Sequence, residues 1–265
     1  MIIATKLSTS LLMLFLAVSF ARAEIQTQAV RYNDGDVKLH GYFAWDDAIE
    51  GKRPGILVVH EGWGLNQYVR KRAEMLAKLG YLAFAIDMYG QGKITEHANQ
   101  ASEWMKQITN NVGLWQQRAL LGLDIMRTHE LVDKTRTAAI GYCFGGATVM
   151  QLAYAGAALD GVVSFHGSLP VATPEQAENV RARVLIAHGS ADAFIPPERI
   201  VKFQSALDAA GADWEMITYG GARHGFTNPD ADVYEIDNVR YNKAADARSW
   251  RDMQRFFKEL FSSRR

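Results

Sequence analysis

The sequence predicts an α/β fold: a mainly parallel, open sheet with helices on both faces. Short β-branched or apolar runs alternate along the chain with longer stretches of helical spacing, the order expected when parallel strands are joined by crossover helices. Several runs, such as Gly55 to His60 and Val184 to Ala187, are almost wholly apolar, which suits strands covered on both faces. Length is the third observation. Once an amino-terminal segment is set aside, 242 residues remain, enough for one domain with a large core.

That segment, Met1 to Ala23, reads as a secretory signal. Lys6 supplies the positive start, Leu11 to Phe20 the apolar run, and Ala21-Arg22-Ala23 the small-residue cleavage site. The run is too short to span a bilayer, so no stable membrane insertion is expected after cleavage. The domain is expected to fill residues 24–265, exported to a periplasm or secreted. The remaining chain has 27 basic and 29 acidic residues, which argues against a nucleic-acid partner, since such proteins carry a basic footprint. A single cysteine forms no internal disulfide, and a monomer or homodimer is expected.

The elements follow in order. Lys38 to Ala44 is predicted as an early antiparallel strand and Gly55 to His60 as a buried one. Asn66 to Leu79 has helical spacing, with Val69, Ala73 and Leu76 on neighbouring turns and Gly80 as the stop. Tyr81 to Ile86 is the next strand, followed by a glycine-rich loop, Met88 to Thr95, and helices over Glu96 to Ile108 and Val112 to His129. Thr137 to Ile140 is a short strand and Ala147 to Tyr154 a helix, with Gly141-Tyr142-Cys143-Phe144-Gly145-Gly146 between them. Gly161 to Phe165 and Val184 to Ala187 are two more buried strands, each running into His-Gly. Pro197 to Ala210 is a helix, Trp214 to Tyr219 the final strand and Tyr241 to Phe261 the closing helix. In an open sheet of this kind ligands bind beyond the carboxyl ends of the strands. Glu61, Cys143, His166, Asp192 and His224 all fall there.

Gly141 to Gly145 is the thiol form of a Gly-x-Ser-x-Gly nucleophile turn, in which a sharp strand-to-helix bend exposes the reactive side chain. A lone cysteine is more often a small, inert, buried residue, so the turn alone does not decide its role. A thiol attacks as thiolate and needs a base beside it. His224, in the loop after the last strand, is placed to be that base, and Asp192 in His188-Gly189-Ser190-Ala191-Asp192 to orient its ring. Taken singly, Asp192 reads as a turn former and His224 as a solvated loop residue; their order, each after a predicted strand, sets them apart. His60, His166 and His188 also lie at strand ends, whereas His40, His97 and His129 read as surface or packing residues. No helix carries paired histidines at ligand spacing, so no metal or other cofactor is expected.

With these motifs in view, the chain resembles the dienelactone hydrolase family of α/β-hydrolases from about residue 28 onward. The resemblance is carried by His60-Glu61-Gly62-Trp63-Gly64-Leu65-Asn66, Asp87-Met88-Tyr89, the Gly-Tyr-Cys-x-Gly-Gly turn, His188-Gly189-x-x-Asp192 and His224-Gly225-Phe226. It implies a Cys143, His224 and Asp192 triad, with Glu61 as an additional carboxylate that contacts the resting thiol. Gly62 and Phe144 would give the backbone N–H groups of an oxyanion hole. The expected activity is hydrolysis of carboxylic esters or lactones, with thioesters as a further class, through a cysteinyl acyl-enzyme. The alternative is a secreted, non-catalytic binding protein with an inert or redox-sensing thiol. The chain departs from the family's type enzymes in lacking an arginine just past His224 and another between Gly90 and Gln117. Trp63, Phe144, Phe165, His166 and Phe226 are therefore expected to line a more apolar pocket, and dienelactone itself is a doubtful substrate.

Overall fold

The structure, a computed structural model, describes residues 24–262; the predicted signal, Met1 to Ala23, lies outside the described residues. Eight strands form one sheet: β1 (Ile25–Asp34), β2 (Val37–Asp46), β3 (Arg53–Val59), β4 (Leu82–Ile86), β5 (Val132–Tyr142), β6 (Gly161–Phe165), β7 (Arg183–Gly189) and β8 (Trp214–Tyr219). Their order is β1-β2-β4-β3-β5-β6-β7-β8. β2 runs antiparallel to both its neighbours, and β3 to β8 are parallel. The carboxyl ends of β3 to β8 thus share one edge of the sheet.

The helices are α1 (Gln67–Ala77), α2 (Ala98–Thr109), α3 (Val112–Thr128), α4 (Phe144–Tyr154), the short α5 (Pro174–Glu178), α6 (Pro197–Ala209) and α7 (Lys243–Ser262). Alternate strand residues face opposite sides, which divides the core in two. Leu57 and Val59 pack with Leu123, Met150 and Phe203 from α3, α4 and α6. Ile56 and Val58 pack with Val69 and Leu76 of α1 and with Met253 and Phe257 of α7. All four β3 side chains are fully buried, each removal from water contributing about 1.5–3 kcal/mol.

Three differences from the sequence expectation have local causes. β1 was not predicted; it pairs with β2 from Ile25↔Asp46 to Asp34↔Val37, but Thr27, Gln28 and Arg31 are exposed, so this edge strand lacks the apolar run of a central one. β5 begins at Val132, five residues before the predicted start, because its polar first part pairs with Arg53 and Pro54 before a register shift to Thr137. α4 starts at Phe144 and not at Ala147. Gly145 and Gly146 lie inside its first turn, where they permit close packing instead of breaking the helix.

Candidate active site

Cys143 sits between the last residue of β5 and the first of α4 with φ +54° and ψ −112°, a strained combination for a non-glycine residue. The turn closes because its flanks have no side chains. A Cβ on Gly141 would lie 2.0 Å from the Gly145 carbonyl oxygen, and one on Gly145 would lie 2.2 Å from the Val59 carbonyl oxygen. The Cys143 N–H donates to the Phe165 carbonyl at 3.0 Å and approaches His166 Nδ1 at 3.2 Å.

His224 follows β8 in a loop braced by the segment after it. The Arg240 N–H donates to the His224 carbonyl and the Asn242 N–H to the Phe226 carbonyl, both at 3.0 Å. The ring's Nδ1 lies 2.8 Å from Asp192 Oδ2, and the ring lines the same cavity as Cys143, whose sulfur acts on it electrostatically. Asp192 is in turn fixed through Oδ1, which accepts from the Phe194 N–H at 3.0 Å and from Asn238 Nδ2 at 3.2 Å. Burial opposes charge on His224, yet the Cys143 sulfur and the Asp192 carboxylate outweigh it and push its pKa up to about 10. Burial works against ionised Asp192 as well, but the His224 contact, the Phe194 N–H and the Asn238 amide hold its pKa below the ordinary value. The Cys143 sulfur and the Asp192 carboxylate therefore both favour the imidazolium form of His224.

The Gly62 and Phe144 N–H groups have no acceptor among the described residues, and both residues line the cavity over Cys143. Phe144 is the first residue of α4, where helical geometry leaves the N–H unpaired. The Gly62 N–H belongs to the same peptide unit as the Glu61 carbonyl, which lies 2.5 Å from His60 Nδ1. His60 Nε2 accepts from the Met88 N–H at 3.1 Å, so the neutral ring must carry its proton on Nδ1 and donate to that carbonyl. Burial, the main influence on this ring, lowers its pKa and keeps it neutral. A trans peptide held by its oxygen turns its N–H the opposite way. His60, placed by the sequence only at a strand end, thus fixes the direction of the Gly62 N–H.

Glu61 also lines the cavity, only 2% exposed. Its Oε2 accepts from Asn228 Nδ2 at 2.7 Å. Burial pushes its pKa up to about 7, against the pull of the Asn228 bond and of the His224 and Arg72 charges. The carboxylate expected to contact the resting thiol lines the same cavity as Cys143 and is hydrogen-bonded to the Asn228 amide.

The cavity holds about 420 Å³. Trp63, stacked 3.7 Å from Tyr234, lines it together with Met105, Trp115, Phe144, Phe194 and Ile236. Phe165, His166 and Phe226, expected in the wall, stand behind it. Phe165 and Phe226 belong to the core shared with α1 and α7: Phe165 follows the alternation of β6 onto that face, and the carbonyl of Phe226 is tied to the Asn242 N–H just before α7. His166 is fully buried and bonds Thr227 Oγ1 at 2.7 Å. Arg199 of α6 lines the cavity too, an arginine whose place in a surface helix gave no sign of it in sequence. A larger open groove, about 910 Å³, lies at the amino-terminal edge of the sheet between Arg127 and Arg183, away from these residues. Among the described residues no cluster of three His, Cys, Asp or Glu side chains could hold a metal ion.

The family model of the dienelactone hydrolase family matches residues 39–261. This chain belongs to the dienelactone hydrolase family. It is similar to a solved dienelactone hydrolase-like promiscuous phosphotriesterase, P91, from metagenomic libraries. The two are 36% identical, with a TM-score of 0.87, over 90% of this chain and 99% of that one. Protein usf of Aquifex pyrophilus is 27% identical over 89% of this chain and 99% of its own length. A Yersinia pestis protein that carries the name carboxymethylenebutenolidase is 30% identical, over 78% of this chain and 81% of its own. The sheet described above is that of the α/β-hydrolase fold, and this dienelactone hydrolase family member is a hydrolase of the ester and lactone type.

Proposed function

We propose that the protein hydrolyses carboxylic esters and lactones, and thioesters as a further class, through a cysteinyl acyl-enzyme. The Cys143 thiolate attacks the carbonyl carbon and forms a C–S bond, while the negative oxygen is held by the Gly62 and Phe144 N–H groups. His224, protonated on the nitrogen facing the sulfur, gives its proton to the departing alkoxide as the C–O bond breaks. Neutral His224 then takes a proton from water, whose oxygen attacks the thioester and expels the thiolate. Asp192 fixes the ring by accepting from Nδ1 throughout. One observation carries this reading: His224 Nδ1 lies 2.8 Å from Asp192 Oδ2, and His224 lines the same cavity as Cys143 and the unpaired N–H groups of Gly62 and Phe144.

Cys143→Ala is expected to lower turnover on an ester and lactone panel by about 10⁴-fold or more, and full retained activity would sink the proposal. A phosphotriester belongs in the panel, because that is the substrate class named for the 36%-identical P91 protein. Export with loss of residues 1–23 is part of the same proposal. Amino-terminal sequencing of the mature protein is expected to begin at Glu24, and an intact Met1 terminus contradicts it.

A further inference from the structure

Glu61 is the one acid in the cavity wall among the described residues, and its hydrogen-bond partner comes from the loop that carries His224. We infer that Asn228 is a positioning residue for this acid: its side-chain amide ties the Glu61 carboxylate to the histidine loop and leaves the Cys143 sulfur to His224. The inference rests on the proposed pairing of Cys143 with His224.

Asn228 is built for one orientation. It is 1% exposed, its N–H donates to the Gly225 carbonyl at 2.9 Å, and its Oδ1 accepts from the Asp230 N–H at 2.9 Å. With the oxygen committed to a backbone donor, the amide must present its NH₂ to Glu61, and an NH₂ only donates. It therefore favours the ionised carboxylate. Around Glu61 stand His224 from the same loop, Tyr68 and Arg72 of α1, Tyr142 of β5 and Tyr234. His224 and Arg72 favour the charge, and burial opposes it, leaving the acid's pKa at about 7. An ionised Glu61 beside His224 favours the imidazolium, and with it the thiolate. Protonation of Glu61 removes that support while the Asp192 contact persists.

The test reads the thiol and not hydrolysis. Alkylation of Cys143 by iodoacetamide, followed against pH on the purified protein, is expected to show a step near pH 7 that Glu61→Gln abolishes. Asn228→Ala is expected to move that step upward by about one to two pH units, the loss of one charge-assisted hydrogen bond. Asn228→Asp keeps the side-chain volume and the acceptor for the Asp230 N–H but sets a second acid against Glu61, and should move the step upward as well. A step that stays in place in a folded Asn228 variant, or a wild-type step that survives Glu61→Gln, overturns the inference. A fully active Cys143→Ala protein overturns the hydrolytic reading instead, so the two failures are told apart.

Discussion

The turn that carries Cys143 is held by steric exclusion, whereas the loop that carries His224 is held by polar contacts from distant parts of the chain. At the turn, Gly141 and Gly145 bring backbone against backbone, leaving no room for a methyl group. In the histidine loop, Arg72 of α1 donates to the Thr227 carbonyl and pairs with Asp246 of α7 at 2.5 Å. Thr227 Oγ1 lies 2.6 Å from Tyr68 OH and 2.7 Å from His166 Nε2. One half of the site is thus written in glycine spacing. The other half exists only where α1, β6, α7 and the loop converge.

Removing one side of the buried ion pair should have the largest effect. Arg72→Leu strands Asp246 and the Thr227 carbonyl, and with the arginine side chain only 5% exposed the expected loss is about 3–5 kcal/mol in urea unfolding. A loss below about 1 kcal/mol, the scale of a surface pair, would mean that the loop does not depend on this network. Gly145→Ala tests the steric half. A methyl 2.2 Å from the Val59 carbonyl oxygen must push β3 and α4 apart, which costs about 1–3 kcal/mol for an overpacked core. Turnover should fall with stability there, because displaced Phe144 misplaces an oxyanion donor; unchanged turnover in a destabilised variant would show that the turn tolerates movement.

The remaining expected effect has the opposite sign. Glu61 has its pKa raised from 4.5 to about 7 in the fold, by burial above all. Between those values the unfolded chain releases the proton while the native protein keeps it, so stability falls as pH rises through that window. That rise corresponds to about 3 kcal/mol at most. Glu61→Gln should therefore be more stable than the parent above pH 7 and indistinguishable from it below about pH 4.5. Thermal melting at both ends of the range checks this, and equal melting temperatures at high pH would mean that Glu61 ionises in the fold without penalty.

The parallel sheet, the strand ends and the nucleophile turn were all legible in the sequence, since buried strands must be apolar and a sharp turn must shed its side chains. Cys143, Asp192, His224 and Glu61 were legible as candidates; the structure brings Cys143, His224 and Glu61 to one cavity and sets Asp192 against the His224 ring. The wall was read less well. Phe165 and Phe226 look the same in sequence whether they face a pocket or a core; strand parity sends Phe165 to the α7 side, and Phe226 joins it there from its loop. His60 was legible as a strand-end histidine but not its bond, and Asn228 gave no signal, because one acts through a peptide carbonyl and the other through an acid 167 residues away.

By itself, the sequence determined that this chain forms a mainly parallel α/β sheet with a strained cysteine at the edge where ligands bind. Burial periodicity and glycine spacing are local rules that operate wherever the residues occur. Only the tertiary structure decided which of the strand-end histidines meets both Asp192 and Cys143, and that Glu61 answers to Asn228. Those pairings depend on which loops converge at one edge of the sheet. A hydrogen bond between residues far apart in sequence leaves no pattern in either segment alone.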